Sequence, residues 1–173
     1  MPDGESNEHV RAVIIGTRHE FQRHQDTAED REKVRLDFEK LLRDIVQERG
    51  VTLIAEEAGN DRAVWEVLKA EEEGLGDFVD AFGGGRTVEQ PVSTIAKNLS
   101  TELSSKVRHV DIRVDVRDFP QVDQRDEAMA AKVTEILGAS KNVLVIVGES
   151  HRQGLAQRLA QGGFLVKSFR FPN

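Results

Sequence analysis

Short apolar runs alternate with longer amphipathic stretches along this chain, and the two patterns predict different elements. Val10–Ile15, Val51–Ala55 and Val143–Val147 are rich in apolar and β-branched residues and bounded by turn formers, the mark of buried strands, and Phe164–Phe171 reads as a last strand after the turn at Gly162-Gly163. Val107–Val116 alternates apolar and polar positions instead, which suits an edge strand or one with a partly wet face. Between the first two runs, Val34, Phe38, Leu41, Leu42 and Ile45 fall at i, i+4, i+7, i+8 and i+11, one stripe of a helix. Asp26 with Glu29 forms a capping box at its start, and Gly50 takes the C′ position after Arg49. Strand, helix and strand in immediate succession make a βαβ unit, so the first two strands should be parallel.

Further helices are expected from Asn60 or Asp61 to Glu73, from Ser93 or Thr94 to Ser105, over Gln124–Leu137 with Gly138 as the stop, and from His151 or Gly154 to Gln161. The fold class is therefore α/β, a largely parallel sheet flanked by helices. Residues 1–9 read as a flexible lead-in and residues 10–173 as a single domain. The insertion between strands two and three is mostly helical, with a stretch of low periodicity at Gly74–Gln90. It is long enough to fold over the carboxyl edge of the sheet as a lid.

Composition narrows the partners. Charged residues make up 32% and hydrophobic ones 38% of the 173 residues, which suits a globular protein with a solvated surface. A net charge of -7 argues against duplex DNA or an anionic membrane as partner, since both need a basic face. No cysteine is present, which excludes disulfides and cysteine-bound metal clusters. The polar start does not resemble a signal peptide, and no apolar run approaches the roughly 20 residues that span a bilayer. A cytoplasmic protein acting on a small molecule or peptide is the expectation.

Two strands end at a glycine with a histidine three residues on, Gly16/His19 and Gly148/His151. Ligands of open parallel sheets bind at the carboxyl ends of strands, so the repeat puts two imidazoles where chemistry is usually done. Solvated loop histidines are the competing reading. His19 and His24 form HEFQRH, but five residues on a helix turn roughly 140° too far for the paired histidines of a zinc protease. Glu56 and Glu57 close strand two, and one must point to each side of it. Either carboxylate could complete a site with His19 and His151, holding a divalent ion such as Mn²⁺ or Zn²⁺ or orienting a histidine base. Glu149 competes for that role, and Glu20 less strongly. GESHRQG is neither a P-loop nor a nucleophile elbow, and the glycines of GGGR at Gly83–Arg86 suit a hinge better than an anion cradle. Arg125, near a predicted helix start, is placed to hold an anion or a developing oxyanion; a solvated ion pair with Asp123 or Glu127 competes with this.

Gly16-Thr17-x-His19, Glu56/Glu57, Arg125-Asp126-x-x-Met129 and Gly148-x-x-His151-x-x-Gly154 occur in that order over residues 12–155. The series resembles the superfamily that groups the TraB/PrgY and TIKI proteins with the erythromycin esterases and the haem-binding ChaN proteins. The resemblance implies an α/β fold with its site at the strand ends, two histidines and a glutamate at the centre, and His19, Glu56, Arg125 and His151 as the core, with Glu57 as the alternative carboxylate. It further implies a hydrolase, metal-dependent or metal-free, with His19, Glu56, Glu57 and His151 as the candidate metal ligands. Members commonly carry Asn after the Arg, where this chain has Asp126. The chain is much shorter than the erythromycin esterases, so macrolide hydrolysis is not expected. The alternative is a non-catalytic module of the same fold that binds haem or another small ligand; the lack of tyrosine weakens the haem version.

Overall fold

The computed structural model describes residues 9–22, 29–58, 94–103 and 105–172. In chain order these form β1 (Arg11–Thr17), α1 (His19–Gln22), α2 (Glu29–Arg49), β2 (Leu53–Glu56), α3 (Ile95–Glu102), β3 (Arg108–Asp111), α4 (Val122–Ile136), β4 (Asn142–Gly148), α5 (Glu149–Gln161) and β5 (Leu165–Arg170). The five strands make one sheet in the order β3-β2-β4-β1-β5, parallel throughout. The α/β class and the parallel pairing expected from the hydrophobic pattern are what the chain adopts.

Period-2 alternation splits the sheet's side chains into two half-cores. Ile14, Leu53, Ala55, Val143, Val145 and Val147 pack with Met129 and Val133 of α4 and Leu155 and Leu159 of α5. Ile15, Ile54, Leu144 and Ile146 pack on the other face with Phe38 and Leu42 of α2 and Leu99 of α3. Burial on both faces is why the central strands carry unbroken apolar runs. Helix α2 ends where the sequence places its stop, at Gly50 with φ of 58°, a left-handed position that glycine takes without strain. Thr94 caps α3, accepting from the Lys97 amide at 3.1 Å.

Several boundaries differ from expectation. Of Val107–Val116 only Arg108–Asp111 is strand, an edge strand as its alternation suggests. The reason is that β2 ends at Glu56, which pairs with Asp111, so no ladder partner exists beyond it. The Asp111 carboxylate then accepts from the Arg113 amide at 2.9 Å and turns the chain, while Ile112, Val114 and Val116 stay buried. Helix α5 starts at Glu149, directly after β4, so His151 lies in its first turn rather than ahead of it. The segment after β1 opens as the short helix α1 instead of a loop. The expected lead-in at residues 1–9 (save His9), the capping residue Asp26, His24, the helix from Asn60 or Asp61, Gly83–Arg86 and the lid reading of the insertion lie outside the described residues. No helix among the described residues is long and apolar enough to cross a membrane.

Candidate functional site at the carboxyl edge

Strands β1 and β4 lie side by side, with Thr17 opposite Gly148. The two Gly-x-x-His segments therefore leave neighbouring strand ends, offset by one residue. On the β4 side the chain turns straight into α5, which brings the His151 ring over the sheet edge. Glu57, one residue beyond β2, donates its amide to the Ile146 carbonyl at 2.8 Å and is thereby fastened to the same strand. Its Oε2 accepts from the Gly148 amide at 2.9 Å, and its Oε1 lies 3.6 Å from His151 Nε2. The other ring nitrogen, Nδ1, bonds Asp126 Oδ1 at 2.6 Å. His151, Glu57 and Asp126 are all buried.

Asp126 sits on α4 and reaches His151 across the packed pair of helices α4 and α5. The approach is open because residue 154 is glycine: a Cβ there would fall 2.9 Å from Asp126 Cγ and closer still to a carboxylate oxygen. In Gly148-x-x-His151-x-x-Gly154, the first glycine thus supplies an amide to Glu57, the histidine sits between two carboxylates, and the last glycine admits one of them. An ionised carboxylate only accepts, so Asp126 fixes the proton of neutral His151 on Nδ1 and leaves the Nε2 lone pair free. Burial opposes the charged ring, but the Asp126 hydrogen bond, with the charges of Glu57 and Asp126, outweighs it against the nearby Arg125. The His151 pKa is held above its ordinary value of 6.5.

Arg125, adjacent to Asp126 on the first turn of α4, is 6% exposed. Its Nη1 donates to the carbonyls of Phe119 at 3.0 Å and Pro120 at 3.1 Å, which fastens the guanidinium to the loop ahead of the helix. The competing ion pairs with Asp123 or Glu127 do not form. Its Nε is buried with no acceptor among the described residues.

Glu56 faces the opposite half-core. Its Oε2 accepts from Thr94 Oγ1 at 2.6 Å and lies 2.7 Å from His109 Nε2, and its Oε1 has no partner among the described residues. The side chain is fully buried. The strand end thus serves two clusters: Glu57 with His151, Asp126 and the Gly148 amide, and Glu56 with His109 and Thr94. His151 is paired with Glu57, the carboxylate held in reserve at the sequence level, rather than with Glu56.

Among the other candidates, Glu149 is bonded by the Arg152 guanidinium at 2.9–3.1 Å. That pair lies over β1, where a Cβ on Gly16 would come within 2.9 Å of Arg152 Cβ. His19 and Glu20 open α1, and their side chains lie outside what is described. His109 and the partnership of Asp126 with His151 escaped the sequence reading. His109 had one local signal: it falls within an alternating run, two residues before a strand ends. Asp126 stood out only as the residue after Arg125 in its motif, and nothing local pointed to its partner 25 residues away on another helix.

The spacing of His151 Nε2 and Glu57 Oε1 suits two ligands of one ion, and the Asp126 bond at Nδ1 is the outer support such a ligand usually has. A divalent site needs a third protein donor, however, and no group of three such donors occurs among the described residues. Among the described residues, surface clefts of about 530–630 Å³ lie at the amino edge of the sheet beside Asn142 and on the outer surfaces of α4 and α5, and these are not lined by His151, Glu57 or Arg125. The chain matches no family model, no curated protein and no solved structure.

Proposed function

We propose that this protein is a hydrolase in which His151 activates water as a general base, in keeping with the resemblance to the TraB and erythromycin-esterase group. The observation that carries the reading is the His151 environment: Nδ1 on Asp126 at 2.6 Å and Nε2 facing Glu57 at 3.6 Å, at the carboxyl edge of a parallel sheet. Asp126 sets the tautomer and orientation. A water bonded to Nε2 can also donate to Glu57 Oε1, since two bonds of about 2.8 Å span a gap of this size. His151 then takes one proton as the water attacks, and the imidazolium so formed lies between two carboxylates. The proton passes on to the leaving group. The Asp126 hydrogen bond and the two nearby carboxylates favour the imidazolium and hold the His151 pKa above its ordinary value, so the ring takes up the proton it removes from water more readily. Arg125 adds positive charge to a site otherwise dominated by carboxylates.

The substrate classes this chemistry serves are small esters, lactones, amides and peptides. Purified untagged protein assayed on such a panel, with and without Mn²⁺ or Zn²⁺, tests the reading. His151→Gln should lower turnover by about 10²–10⁴-fold, the usual contribution of a positioned base, with the fold retained. Equal turnover in the variant, or a wild type inert on every class in either condition, overturns it. In the metal-supported version His19 is the expected third ligand, and His19→Ala would abolish only the metal-stimulated rate.

A further inference from the structure

Arg125 is a buried cation whose hydrogen bonds account for only part of its donor set. Both bonds found for it leave from Nη1, to the Phe119 and Pro120 carbonyls. Nε is out of solvent with no acceptor, and no ion pair to Arg125 forms among the described residues. The neighbouring carboxylate, Asp126, is turned away to His151. A guanidinium's Nε and the Nη2 beside it form a planar two-donor edge matched to two oxygens of a carboxylate or phosphate. Anchoring Nη1 fixes that edge in orientation and leaves its Nε without a partner.

An unmet donor on a buried charged group is costly, and an incoming anion removes the cost. A merely structural arginine that pinned the loop through Nη1 would gain nothing from an empty Nε. The position fits a recognition role as well: Arg125 precedes Asp126, whose carboxylate touches the proposed base, and the guanidinium is close enough for its charge to be felt at His151.

We infer that Arg125 is an anion receptor, and that the substrate of this site carries a pre-formed carboxylate or phosphate group bound by the Nε–Nη2 edge near the bond to be cleaved. The inference rests on the hydrolase reading for the word substrate, but the anion site itself stands apart from it. A pre-formed anion is bound in the ground state, so the arginine acts chiefly on affinity and on substrate choice. The chain's overall charge of -7 makes such a receptor selective, because only a specific pairing offsets general repulsion.

The test is side-chain NMR of the untagged protein, following the arginine Nε–Hε resonances during titration with sodium acetate and, separately, inorganic phosphate, against sodium chloride at matched ionic strength. Loss of one resonance in Arg125→Lys assigns the signal; if that variant does not fold, correlation from the Arg125 backbone assigns it in the wild type. The expected result is a saturable downfield shift of the Arg125 signal in the millimolar range with one or both oxyanions and not with chloride, which also tells a carboxylate site from a phosphate site. No shift with either oxyanion, or an equal shift with chloride, overturns the inference. The shift should survive His151→Gln. In the hydrolase assay, substrates bearing an acidic group should be preferred at least 10-fold in kcat/KM, through KM, and Arg125→Gln should erase the preference. Anion binding without hydrolysis would remove the hydrolase reading and keep the receptor. Hydrolysis of neutral substrates with an unmoved Arg125 signal would do the reverse.

Discussion

The carboxylate of Asp126 occupies the space that a side chain at position 154 would need, so that Gly154 on one helix decides whether Asp126 on another can reach His151. A methyl group at that point cannot be absorbed by flexibility at the tip of a long side chain. Gly154→Ala should therefore cost about 1–3 kcal/mol, the usual penalty of overpacking a buried contact. Denaturant unfolding would measure it. The same substitution should drop the His151 pKa, as the Asp126 bond lengthens. A variant as stable as the parent with an unmoved His151 titration would contradict this account of the glycine.

Asp126→Asn separates charge from geometry. An amide oxygen can still accept from Nδ1–H, but it no longer favours the imidazolium. The His151 pKa should fall relative to the parent, because the largest stabilising contribution to the charged ring is the Asp126 bond. Proton NMR titration of the His151 ring would show it. In turnover, the variant should lose rate least below neutral pH and most above it, because what remains is a weaker base with less support for its protonated form.

Stability should depend on pH with a definite sign. The folded state holds the His151 pKa above the unfolded value of 6.5, so it binds the proton more tightly. The stabilisation is fully present below 6.5 and is lost as pH rises through the higher folded value. Chemical unfolding of the parent should show declining stability across that window, and His151→Gln should flatten it. An equally steep decline in the variant would assign the effect to other groups.

Thr94 has two tasks that one hydroxyl performs together, capping α3 and donating to buried Glu56. Thr94→Val keeps the volume and removes both, at a cost of about 1–3 kcal/mol. Thr94→Ser should recover most of it. If Thr94→Val also leaves His151 titration unchanged, the two clusters at the end of β2 are energetically separate, as their placement on opposite faces implies.

The sheet was legible in the sequence because strands buried on both faces need unbroken apolar runs, and β4 and β1 show them plainly. The divergence of Glu56 and Glu57 followed from period-2 alternation alone. Which of the two meets His151 did not follow, because that depends on the face α5 covers, a property of connection handedness and packing rather than of local pattern. The shortness of β3 was hidden for a related reason: Ile112, Val114 and Val116 keep alternating after the ladder has ended, since burial continues there without a partner strand. Asp126 read as an odd residue beside Arg125, and only the packing of α4 on α5 gives it a role.

Strand β2 contributes only four paired residues, yet the carboxylates of Glu56 at its end and Glu57 just beyond it belong to different half-cores. A slip of one residue would exchange the apolar side chains between faces and, in the same movement, send each glutamate to the wrong histidine. A misaligned β2 thus buries two carboxylates away from the Gly148 amide and the Thr94 hydroxyl, at several kcal/mol beyond the packing loss. The acidic pair at this edge thus also acts as a proofreading device for the assembly of the sheet.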